Sequence, residues 1–154
     1  MPRYILPLVI WVVILSGCAS AAGRDFGRSP KYGEKDLQRL RSFYGKPLAA
    51  GTSEAADSAR RDHKADYGAL VVAATYKDRS ALSSLMSFSP MDGEAGEEHA
   101  NTLSLLLSGL GDDFFSSVLK SQPRAVRKSV LGDLDLYPEL KAHSSKTFGM
   151  KGHE

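Results

Sequence analysis

The chain holds one cysteine and one tryptophan in 154 residues, and neither charge is in real excess. A lone thiol excludes an internal disulfide framework and any metal site built from several cysteines. Twenty Lys and Arg against eighteen Asp and Glu form no basic field of the kind that binds nucleic acid. Nineteen of the twenty basic residues follow Cys18, as do all eighteen acids, so the body itself is near neutral. Alternating strand patterns are nearly missing, and one long uncharged run stands near the start, which excludes a multi-span membrane protein. The remainder, in a chain 42% hydrophobic and 25% charged, has the composition of one soluble domain large enough to bury a core.

The uncharged run has a three-part layout. Met1-Pro2-Arg3 gives a short positive start, Tyr4 to Leu15 carries no charge, and Ser16-Gly17-Cys18-Ala19-Ser20 is small and polar. That is the order of a secretory signal. The tetrad Leu15-Ser16-Gly17-Cys18 resembles the lipobox of bacterial lipoproteins. The resemblance covers about twenty residues and implies cleavage after residue 17, with Cys18 the mature N-terminus carrying a diacylglycerol thioether and an N-acyl chain. Several acyl chains together hold a protein at a membrane, at roughly 0.8 kcal/mol per buried methylene. Ala19 stands where an aspartate would retain an inner-membrane lipoprotein, so the resemblance implies the periplasmic face of an outer membrane, given a two-membrane cell. The competing reading is an uncleaved anchor, because Tyr4 to Ala22 is close to a bilayer-spanning length. Pro7 and the small polar run from Ser16 stand against it.

Residues 18–33 are rich in Ala, Gly, Ser and Arg and lack apolar periodicity, as a flexible tether does. A coil of that length reaches on the order of 20 Å, and Arg24, Arg28 and Lys31 in it could touch anionic headgroups.

The body, residues 34–145, is predicted to be all-α, a small bundle or a short solenoid of stacked helix pairs with about six helices. Leu37, Leu40, Phe43 and Tyr44 mark a helix that Gly45 and Pro47 end. Residues 53–76 predict a second, longer one, with Ala65, Ala69, Val72, Ala73 and Tyr76 on one face. Asp78, Asp92 and Asp112 can cap three more, and Pro123 opens a last helix to Leu134. A flexible tail is expected over 146–154.

A shift of thirty-four residues sets Val71, Val72 and Ala73 on Leu105, Leu106 and Leu107, and Asp78, Ala81 and Leu85 on Asp112, Phe115 and Leu119. Each copy reads as a helix, a tight turn and a short helix, the spacing of paired-helix repeats. Two copies are fewer than a solenoid needs, so a closed bundle fits equally.

Catalytic motifs are sparse. Asp62-His63 with Asp66, and Glu94, Glu97 and Glu98 with His99, could each bind a divalent metal or act as an acid-base pair. Neither has the two-histidine spacing of a zinc-protease helix, and acids gather in first turns because the helix dipole favours them there. No serine sits in a Gly-x-Ser-x-Gly elbow, and the glycines occur singly rather than as a phosphate loop.

Charge segregation is the stronger pattern. Asp92, Glu94, Glu97, Glu98, Asp112 and Asp113 follow one another with no Lys or Arg between, and Lys120, Arg124, Arg127 and Lys128 follow with no acid. Separate patches of this kind steer a protein partner and fix its register. The expectation is therefore a lipid-anchored envelope protein that binds another envelope protein, without catalysis, cofactor, small-molecule substrate or nucleic acid. It would serve as an accessory subunit of an envelope machine or as an immunity protein against a toxin. A metal-dependent or acid-base enzyme centred on His63 or His99, and a passive structural lipoprotein, are the alternatives.

Overall fold

The computed structural model describes residues 33–150. Cys18, the lipobox and the tether through residue 32 lie outside the described residues, as does the Tyr4 to Ala22 run. The described chain is a helical bundle of eight α-helices, with no strand among the described residues. They are α1 (Glu34–Tyr44), α2 (Glu54–Ser58), α3 (Tyr67–Thr75), α4 (Arg79–Met86), α5 (Gly93–Leu110), α6 (Asp112–Lys120), α7 (Arg124–Leu134) and α8 (Ser145–Phe148). None is long and apolar enough to cross a membrane.

The bundle is built round α5. Its eighteen residues span about 27 Å, and α1, α2, α3, α6 and α7 all pack on it. Leu103, Leu106, Leu107 and Leu110 are buried, and they form the apolar stripe read from the sequence. At the C-terminal end of α5, α1 lies close against it, and a Cβ on Gly109 would run into the Leu37 side chain of α1. The two copies of the thirty-four-residue similarity are the hairpins α3–α4 and α5–α6. Ala81 and Phe115 are both buried, and so are Leu85 and Leu119. With helices on several sides of α5, the hairpins close on a common core instead of stacking in a line.

The single long helix expected over 53–76 is two helices. The Ser53 hydroxyl caps α2 by accepting from the Ala56 N–H at 3.1 Å. A π-turn over Ala59–His63 then ends at Lys64, whose left-handed φ of 55° lets both the Lys64 and Ala65 N–H groups return to the Ala59 carbonyl. Asp66 restarts the chain as α3 by accepting from the Ala69 N–H at 3.0 Å. Two turn residues and a fresh cap outweigh an apolar periodicity that runs straight through them.

Two capping expectations differ in detail. Asp92 precedes α5, but its side chain makes no capping hydrogen bond. Asp112 lies inside α6, which Gly111 precedes at φ 88°, and its carboxylate caps α8 instead. It accepts from the Lys146 N–H at 2.7 Å and the Thr147 N–H at 2.9 Å. Thr147 is fully buried as a result, so residues 146–148, expected to begin a flexible tail, are docked on α6.

Candidate functional site

The N-terminal half of α5 carries the densest polar chemistry. Glu98 faces inward, and both its oxygens are used. Oε1 accepts from the Tyr44 hydroxyl at 2.7 Å and the Ser53 hydroxyl at 2.6 Å, and Oε2 accepts from the Ala55 N–H at 3.1 Å. One carboxylate thus holds the end of α1 and the start of α2 onto α5, and the dipole of α2 favours its charge there. Its neighbour His99 is fully buried. Nδ1 lies 2.8 Å from the Tyr67 hydroxyl and Nε2 lies 3.1 Å from the Ser89 hydroxyl. Burial pushes the imidazole down to about 4, against an opposing pull from Glu98, so the ring is neutral at pH 7. Burial also drives the Tyr44 and Tyr67 hydroxyls up and keeps both protonated.

One route satisfies the neutral ring. The Tyr67 O–H donates to Nδ1, and Nε2–H donates to the Ser89 oxygen. The Ser89 hydroxyl is then free to turn toward Asp133, whose carboxyl is raised by burial and eased back by Ser89. The Asp133 Oδ2 is buried without a partner. Packed round this network are Phe88, whose ring lies 6.2 Å from Tyr67, and His63, whose ring lies 4.6 Å from Phe88 on the outer side.

Outside Phe88 opens a polar cleft of about 280 Å³ between the α2 and π-turn segment and the start of α5. Glu54, Asp62, Asp92 and Glu94 line it, with Arg61 and His63. Arg61 and Ser58 hold the exposed Asp62 carboxyl below its usual range. The two histidine clusters read from the sequence therefore meet at Phe88, His63 on the solvent side and His99 sealed inside. Among the described residues no three His, Cys, Asp or Glu side chains are grouped closely enough to hold a metal.

The acidic run does not form one patch. Asp92 and Glu94 line the cleft and Glu97 is exposed close by, whereas Glu98 is half-buried and turned to α2, because α2 needs an acceptor where α5 passes it. Asp112 and Asp113 stand at the opposite end of α5, the first capping α8 and the second paired with Lys146. The basic run is compact: Lys120 ends α6, and Arg124, Arg127 and Lys128 begin α7. The Arg127 guanidinium donates to the Gln122 carbonyl at 2.7 Å.

The sequence did not disclose Tyr44, Ser53, Tyr67 and Ser89 as partners of Glu98 and His99. They come from four different segments, and no spacing rule links them. No protein-family model, curated protein or solved structure matches the chain.

Proposed function

We propose that the chain is a lipid-anchored protein of the bacterial envelope whose helical body is a non-enzymatic module for binding another envelope protein. The observation that carries this reading is the division of the described surface. Carboxylates collect at the cleft beside Glu94, with Arg61 among them, and cations collect where α6 meets α7. Such a distribution orients a charged polypeptide and fixes its register. Cys18, acylated, would hold the body at the periplasmic face of the outer membrane through the tether of residues 18–33. Accessory subunit of an envelope machine and immunity protein are both roles of this kind. His99 supports the non-enzymatic reading, since its two ring nitrogens are occupied and no solvent reaches it. An acid-base or metal-dependent enzyme would have to centre on His63, in the cleft.

Two measurements test the proposal. Cys18→Ser should abolish acylation and leave an unprocessed precursor, and normal maturation with unchanged membrane sedimentation would overturn the anchor. Affinity purification from detergent-solubilised membranes should recover one reproducible partner. Asp92→Lys with Glu94→Lys, or Arg124→Glu with Lys128→Glu, should weaken its capture. No partner, and silence of both pairs, would sink the binding role.

A further inference from the structure

Helix α3 has no charged residue between Tyr67 and Thr75, and every face of it is apolar or small. A helix of that kind is normally enclosed on all sides. Here Tyr67, Val71, Ala74 and Thr75 enter the core; of the stripe read from the sequence, Ala69 and Tyr76 are exposed, and Ala65, Val72 and Ala73 are half-buried against the core. Tyr76 is 69% exposed. A groove of about 590 Å³ runs along one side of this ridge, toward the end of α1, and one of about 620 Å³ runs along the other, toward α4. Ala69 and Ala73 line both.

Cations stand round the first groove and at the helix ends. Lys46 and Arg60, the latter paired with Asp57, border the first groove, and Lys64 and Lys77 stand at the two ends of the helix. The acids nearby, Asp66 and Asp78, have their carboxylates turned to the first turns of α3 and α4 as caps. Lys64 and Lys77 are also the two non-glycine residues with positive φ among the described residues, at 55° and 65°. Glycine would occupy both positions with less strain, but lysine adds something at each: both follow a helix C-terminus, where a cation is favoured, and Lys64 Nζ donates to the Arg61 carbonyl at 3.0 Å. Both also leave a positive charge at an end of the helix.

We propose that the α3 ridge is a docking surface for an amphipathic α-helix of the partner protein, with an apolar stripe flanked by Asp or Glu. The inference rests on the binding role above and names its surface and partner chemistry. Ala69 and Ala73 stand four residues apart on α3, along the row by which helices interlock, and their small size lets a second backbone come close. The occupant commits to acidic flanks because lysines stand at both ends. A second copy of this chain packed on the same ridge would set those lysines against themselves. A lipid surface needs large apolar side chains projecting into it, and a ridge of alanine with one tyrosine supplies little.

The test is photo-crosslinking in cells that produce the full chain, with p-benzoylphenylalanine in place of Ala69, or of Met91 at the cleft, Lys128 at the basic corner, and Glu139 as control. The expected product at position 69 is a single protein adduct whose crosslinked peptide is a helix-forming segment with apolar residues three and four apart and flanking acids. Lys64→Gly with Lys77→Gly should cut the adduct roughly fivefold, as the loss of two exposed charge pairs would. The same pair should leave the melting temperature equal or higher, since glycine relieves both left-handed positions. A phospholipid adduct, a self-adduct, a basic crosslinked peptide, or yield indifferent to the lysine pair overturns the proposal. Adducts at Met91 or Lys128 without any at position 69 overturn the ridge and leave the binding role standing. No adduct at any position overturns both.

Discussion

Lowering the pH from 7.5 to 5 should cost the bundle about 2 kcal/mol of stability through His99 alone. In the unfolded chain the imidazole titrates near 6.5, whereas burial in the fold holds it to about 4. Between those values the unfolded chain takes up a proton that the folded chain refuses, so stability is complete above about pH 6.5 and falls as the pH drops toward 4. The geometry says why the proton is refused: Nδ1 and Nε2 each have one hydroxyl partner in a buried site, and the neutral ring satisfies both. Urea unfolding followed by far-ultraviolet circular dichroism at pH 7.5, 6.5, 5.5 and 5 measures the loss. The comparison is His99→Gln, which offers one donor and one acceptor but takes up no proton. Asp133 titrates in the opposite sense, because its raised carboxyl favours the folded state in acid, but it does so in both proteins and cancels in the difference. The wild-type advantage over His99→Gln should shrink by about 2 kcal/mol across the range. If the two curves fall in parallel, His99 is not the buried neutral group assigned here.

Gly109→Ala should destabilise the bundle by about 1–3 kcal/mol, because the new methyl meets Leu37 across the α1–α5 contact. Combined with Leu37→Ala in thermal unfolding, its cost should fall well below the sum of the two single changes. Glu98→Ala leaves two hydroxyls and the Ala55 N–H without their acceptor and should cost about 2–3 kcal/mol in calorimetry. Glu98→Gln keeps one acceptor oxygen and should cost less. Asp112→Ala should release α8, seen as roughly tenfold faster amide exchange at Lys146 and Thr147 with α7 unchanged.

The elements were legible where local chemistry acts alone. Gly45 and Pro47 follow α1, Asp78 caps α4 through the N–H groups of Ser80 and Ala81, and Pro123 precedes α7, each where the sequence places it. Side-chain allegiance was less legible. Glu98 and Asp112 sit in an acidic run that looks like surface, yet each serves the N-terminus of a helix remote in sequence, α2 for one and α8 for the other. A carboxylate that caps its own helix is written in a four-residue window, and one that caps another helix is written only in the packing.

Helix α3 shows the same limit from the apolar side. Periodicity marks a stripe by contrast with a polar face, and between Tyr67 and Thr75 no charge supplies the contrast. Two stripes compete: Tyr67, Val71 and Ala74 against Ala65, Ala69, Val72, Ala73 and Tyr76. Size decides between them, because Tyr67 and Val71 fill the space beside α5 that alanines would leave open, so Ala69 and Tyr76 are left exposed and Ala65, Val72 and Ala73 half-buried. An apolar face left over in this way is unfavourable for an isolated protein and useful for one with a partner. Lys64 and Lys77, each just past a helix C-terminus, add a cation at either end of that face, which is the charge that acidic flanks on a partner would meet.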